Sequence, residues 1–97
     1  MVTKNASKNE LLSLMNVGKA THRDLEILDI GSIQELSKAD PDELYVRLQH
    51  KTGRVQDPCV WDIFAAIIHE AKTGEKTPWW KWTPIRKQRS RNNNFQI

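Results

Sequence analysis

The chain has 97 residues, 38% of them hydrophobic and 28% charged, a formal net charge of +3 and one cysteine. That length holds one domain core and leaves no room for a second, since domains run from about 50 to 250 residues, and a lone cysteine excludes an internally disulfide-stapled scaffold. The first ten residues lack the apolar stretch of a secretory signal, and the longest apolar run, Ile63 to Ile68, is too short to span a membrane. The expectation is a soluble, cytoplasmic protein without a membrane partner.

The charge is unevenly placed. Residues 75–97 carry six cations against the single carboxylate of Glu75, a net +5, which leaves residues 1–74 at −2. A mildly acidic body does not draw phosphate over its whole surface, so any nucleic-acid site must be local.

No stretch sustains the alternation of a strand, whereas helical spacing recurs. The sequence therefore predicts an all-α fold, a compact five-helix domain over residues 1–87. A first short helix starts near Ser7, with Glu10 at capping-box spacing, and ends at Leu11, Leu12, Leu14 and Met15. Asn16-Val17-Gly18 breaks it. A second helix over residues 19–28 turns Ala20, Leu25 and Leu28 inward and Arg23, Asp24 and Glu26 outward. Asp29-Ile30-Gly31 makes a turn, and Ser32 with Glu35 caps a connector helix over 32–38, held by Ile33 and Leu36. Asp40-Pro41 opens a fourth helix, with Glu43 three residues after the cap, Leu44, Tyr45 and Leu48 on one stripe, and Gly53 as its stop. Asp57-Pro58 opens a fifth over 58–72. Its core face is Val60, Ile63, Phe64, Ile67, Ile68 and Ala71, and Lys72 and Gly74 suit its end. From Thr77 the prolines Pro78 and Pro84 predict an extended or turning tryptophan-rich tail over 77–87. Residues 88–97 read as a mobile basic tail. Residues 7–28 and 41–72 form a loose duplication, two helix–turn–helix pairs.

The first pair suggests a function. Two antiparallel helices joined through Asn16-Val17-Gly18 resemble a helix-hairpin-helix motif, whose usual hairpin is glycine, apolar, glycine. Asn16 stands at the first glycine position, where asparagine tolerates left-handed backbone. Gly18, Lys19 and Ala20 begin the second helix. There the backbone N–H groups lack intrahelical partners, and the helix dipole adds about half a positive charge. Gly18 lets a phosphate approach, Lys19 adds a full charge, and Thr21, Arg23 and His22 are in reach to assist. Such a site grips phosphates and not base edges, so it binds without sequence preference. The alternative is a turn that only packs two helices. In the second pair Gly53 and Arg54, with Lys51, are the corresponding groups of a degenerate hairpin; the alternative is a plain helix connection.

Five stretches together carry a wider likeness: residues 16–21 with Asp24, Leu25, Leu28 and Ile30; Asp40-Pro41-Asp42-Glu43-Leu44-Tyr45; Gln56-Asp57-Pro58-Cys59-Val60; Asp62-Ile63-Phe64; and Pro78-Trp79-Trp80-Lys81-Trp82-Thr83. Over residues 9 to about 87 the chain resembles the small bacterial "pathogenicity locus" family, classed with helix-hairpin-helix proteins and sometimes labelled mitomycin-resistance-like. The resemblance implies a compact helical domain related to DNA-binding hairpins. It implies little about activity, because the family name records a gene neighbourhood.

Trp79, Trp80 and Trp82 stand among Lys76, Lys81, Arg86 and Lys87. Aromatics interleaved with cations stack bases; they also serve as a hydrophobic latch over the fifth helix. Cys59, Asp62 and His69 share the fifth helix, the last two opposite its core stripe. They lack metal-ligand spacing, so no metal and no cofactor is expected. A Cys59 thiolate paired with His22, His50 or His69 has no supporting motif, and Asp40, Asp42, Glu43 and Asp57 are accounted for as helix caps and N-terminal charges. The expected function is non-enzymatic, sequence-independent binding of DNA or another nucleic acid. The alternative is a protein-interaction module that docks a partner or a second copy through the tryptophan tail and the acidic body.

Overall fold

Residues 10–91 are described by the computed structural model. The fold is all-α: after a helical turn at residues 10–12 come α1 (Lys19–Ile27), α2 (Ile33–Ser37), α3 (Pro41–Thr52) and α4 (Cys59–Thr73), then a 3-10 turn (Trp79–Trp82) that runs into α5 (Thr83–Arg91). The Ser7 cap lies outside the described residues, as do residues 92–97 of the expected basic tail.

Local chemistry accounts for the boundaries. Ser32 Oγ accepts the Glu35 N–H at 3.0 Å, and Glu35 Oε1 reaches back to the Gly31 N–H at 2.8 Å, one residue before the cap. Asp57 Oδ1 accepts the Cys59 N–H at 2.9 Å and starts α4. Asp40 starts α3 without a side-chain cap bond, leaving Pro41 to pre-set the first turn. Gly53 (φ 68°) and Gly74 (φ 81°) end α3 and α4 in left-handed backbone, where a Cβ is strained.

The core is one cluster that joins Leu11, Leu14, Val17, Leu25, Leu28 and Leu36 to Leu44, Leu48, Phe64 and Ile67. Two expected orientations are corrected. In α1 the inward positions are Thr21, Leu25 and Leu28, spaced i, i+4, i+7. Ala20, about 100° off that stripe, is exposed. In α4 the buried surface is not one stripe. Trp61, Asp62, Ala65, Ala66 and Glu70 are buried alongside Phe64, Ile67 and Ile68. α2, α3 and the 3-10 turn all pack on this helix, so it is buried on more than one face, while the expected core positions Val60, Ile63 and Ala71 are only half-buried.

The tail is the third correction. Residues 79–82 turn, but from Thr83 the tail is a regular helix in place of the expected extended or turning segment, and Gln88 to Arg91 continue it as part of α5. Pro78 precedes the 3-10 turn and Pro84 is the second residue of α5. At those positions the missing N–H breaks no helical bond.

α5 buries no residue fully, and two arginines hold it down. Asp62 is wholly buried, and among the described residues its side-chain bonds come from the tail. Arg86 Nε reaches Oδ1 at 2.8 Å and Thr83 Oγ1 donates to Oδ2 at 2.6 Å. Arg89 forks onto Asp42, which also accepts the Trp61 Nε1–H at 2.8 Å, and its guanidinium lies 5.8 Å from the Trp61 ring centre. Asp42, read as a helix-terminal charge, is the junction of α3, α4 and α5.

Candidate nucleic-acid interface

The turn before α1 is built around Asn16. Its backbone is left-handed, with φ 76°. Its side chain spends both ends on the tail: Nδ2 donates to the Thr77 carbonyl at 2.8 Å, and Oδ1 accepts the Trp79 N–H at 3.2 Å. One residue earlier, the Met15 N–H donates to Glu70 Oε1 at 3.0 Å, and Lys76 Nζ holds the other oxygen of that buried carboxylate at 3.0 Å. The turn is thus pinned to the end of α4 and to the start of the tryptophan segment, 63 residues away in sequence.

Beyond Asn16 the turn opens. Val17 faces the core. Gly18 caps α1 in extended backbone (φ −98°, ψ −168°) with no side-chain cap bond, and a Cβ built on it meets nothing within 4 Å. Lys19, Ala20 and Arg23 are exposed. Thr21 is buried, so its hydroxyl does not face an incoming phosphate. His22 is half-buried and its Nε2 is shielded from solvent without a hydrogen-bond partner among the described residues. Neither adds to the surface that Gly18, Lys19, Ala20 and Arg23 present.

The second turn has different chemistry. Gly53 and Arg54 follow the C-terminal end of α3, the negative end of its dipole, where His50 and Lys51 already sit. The next helix start is occupied by the Asp57 carboxylate, held below its ordinary range by the bond from the Cys59 N–H. A carboxylate there repels an anion. The loop is closed on itself: the Gln56 N–H donates to Gln49 Oε1 at 2.9 Å and Tyr45 Oη donates to the Gln56 carbonyl at 2.6 Å. Gly53 and Arg54 remain exposed, with no free helix N-terminus beneath them.

The three tail tryptophans divide. Trp82 is a latch: Nε1 donates to Thr77 Oγ1 at 3.0 Å, and its ring lies 5.3 Å from that of His69. His69 in turn pairs with Glu75 at 2.6 Å. Trp79 and Trp80 are exposed, at 36% and 58%. The basic tail is less free than its composition suggests. Arg86 and Arg89 are bound to Asp62 and Asp42, while Lys81, Lys87 and Arg91 face solvent.

Burial, and then the Asp57 carboxylate, push the Cys59 thiol above its ordinary range, away from the reactive thiolate. Among the described residues no group of three or more His, Cys, Asp or Glu side chains is arranged to hold a metal, and no helix is long and apolar enough to cross a membrane.

A family model described as "Pathogenicity locus" matches residues 4–88. The "Mitomycin resistance protein McrB" of Streptomyces lavendulae is 36% identical over 80 residues, which cover 82% of this chain and 76% of that relative. No solved structure matches.

Proposed function

The chain belongs to the pathogenicity locus family, and from that premise we propose that it binds nucleic acid, DNA in the first instance, without sequence preference and without catalysis. The turn before α1 is read as a helix-hairpin-helix with Asn16 in place of its first glycine. The observation that carries the reading is the open start of α1: Gly18 uncapped and unobstructed, with Lys19 and Arg23 exposed beside it. Backbone N–H groups and the positive end of the dipole favour a phosphate there. The absence of catalysis is supported by the raised Cys59 thiol and by carboxylates that are already spent, Asp62 and Asp42 on arginines and Glu70 on Met15 and Lys76. A cytoplasmic site of action is part of the same proposal.

Anisotropy of labelled single- and double-stranded oligonucleotides, titrated at about 50 and 200 mM salt, tests the reading, because log affinity falls with log salt by about 0.9 per phosphate contact on duplex. Binding that ignores sequence, falls with salt and weakens for Lys19→Glu supports it. Absence of binding at the lower salt removes it. The name of the Streptomyces lavendulae relative adds a phenotype to look for, altered survival on mitomycin when this chain is supplied or removed. A second reading, a protein-interaction module, is favoured by the exposure of Trp80 and Ile85 on one tail. Light scattering across a concentration series detects self-association.

A further inference from the structure

Phosphate contacts alone do not distinguish paired from unpaired strands. The two exposed tryptophans do. Trp79 is tied through its own N–H to Asn16, two residues before Gly18. Along the chain that is a reach of roughly 7 Å. The aromatic pair therefore adjoins the turn that opens α1. Trp82, the third of the set, is committed to Thr77 and His69 and secures the segment, which leaves Trp79 and Trp80 exposed on a short 3-10 turn.

The segment that carries the pair has exposed cations, Lys81, Lys87 and Arg91, and the nearest preceding carboxylate, Glu75, is paired with His69. Lys81 is exposed beside Trp80, and residues 77–91 contain no carboxylate. Exposed aromatics on a carboxylate-free, positively charged segment complement a ligand that carries both flat π-faces and negative charge. Unpaired nucleotides have both, with bases free to stack; in a duplex the base faces are already stacked on one another. Exposed tryptophans also anchor protein partners, the outcome that absence of any nucleic-acid binding would favour.

Resting on the reading of the α1 turn as a phosphate site, we infer that Trp79 and Trp80 are a stacking platform for unpaired bases, so that the protein selects single-stranded nucleic acid or the unpaired end of a duplex. The strand lays its backbone along Gly18 and Lys19 and turns one or two bases onto the tryptophans. Asn16 sets the register between the two contacts by holding Thr77 and Trp79.

The test compares three labelled probes on the full chain: an oligothymidylate, the same length of abasic strand, and a duplex. The variants are Trp79→Ala, Trp80→Ala, Trp80→Phe and Lys19→Glu. The expected result is tightest binding of oligothymidylate with quenching of tryptophan fluorescence. Trp80→Ala should weaken it by about fivefold to a hundredfold, the range for one stacked base, and only the loss of both Trp79 and Trp80 should bring it to the level of the abasic strand. Trp80→Phe should retain part of the preference. The Trp80 side chain is more than half exposed, so its loss leaves the fold intact. Equal affinity for oligothymidylate and abasic strand, unchanged in both alanine variants but lost in Lys19→Glu, overturns the platform and leaves the phosphate site standing. No binding of any probe overturns both and assigns the tryptophan pair to a protein partner.

Discussion

Two of the interhelical turns, the one before α1 and the one before α4, look alike in outline and differ in what they do with charge. Both contain a left-handed residue, Asn16 in one and Gly53 in the other. Both use a side-chain amide to hold a distant backbone N–H: Asn16 Oδ1 takes that of Trp79, and Gln49 Oε1 takes that of Gln56. The first turn leads straight into a helix whose start is open to solvent. The second passes the negative end of α3 and meets a helix start filled by Asp57. On the proposed reading the same outline is anion-seeking in one place and anion-repelling in the other. The sign is set by which helix end lies under the turn and whether a carboxylate caps it.

The largest expected effect comes from the tail that both turns adjoin. Arg86→Ala leaves Asp62 buried and unpaired, a change that costs about 3–5 kcal/mol in comparable pairs, read as a lowered urea midpoint. In the same variant hydrogen exchange should quicken at Gln56 as well as at the Trp79 amide, because Arg86 lies beside Tyr45, Asp57 and Cys59 of the second turn and also holds the tail to which the first turn is pinned. Quickening at one amide alone would mean that the two turns open separately. Next in size, Asn16→Ala removes both tail bonds and puts a Cβ-bearing residue without a local amide in left-handed backbone; a loss of about 2 kcal/mol is expected. Asn16→Gly should recover roughly 1 kcal/mol of this, the backbone share, but not the tail bonds. At Gly53, where only backbone is at stake, Gly53→Asn should be nearly neutral.

Binding separates the turns by a smaller margin. Lys19→Glu should weaken nucleic-acid affinity about tenfold near 0.1 M salt and flatten the salt slope by about one contact, while Arg54→Glu should leave both unchanged. Equal losses would make the second turn a true partner of the first. The smallest effect is in pH. The Asp57 carboxyl is held below its ordinary range, chiefly by the Cys59 N–H. Its stabilisation is therefore present above the unfolded-state value of about 3.9 and is lost as pH falls through the lower folded-state value. Asp57→Asn should flatten the acid limb of a thermal-melt profile below about pH 4 and leave neutral stability little changed, since asparagine also caps.

Much of this was readable along the chain because it is local. Ser32, Gly53, Asp57 and Gly74 mark boundaries through backbone geometry and caps within four residues, and the apolar spacing of α1, α3 and α4 named most of the core. Asn16 was legible as a left-handed turn residue for the same reason, and the open start of α1 follows from Gly18 lacking a side chain. The division of the tryptophans, the helical tail and the burial of Asp62 were not. Pro78 and Pro84 permit a helix start as well as a break, and the choice between them comes from Arg86 and Arg89 finding carboxylates 24 and 47 residues away. No spacing rule reaches that far. A charge run such as residues 81–91 reads as solvated until a buried carboxylate claims part of it, and Thr21, His22 and Ala20 sort into buried and exposed only when the neighbouring elements close over one face of α1. Short-range sterics and capping thus made the helices and the turn predictable from the chain, whereas long-range pairing across α4 chose which of the tail's cations and tryptophans remain free to meet a ligand.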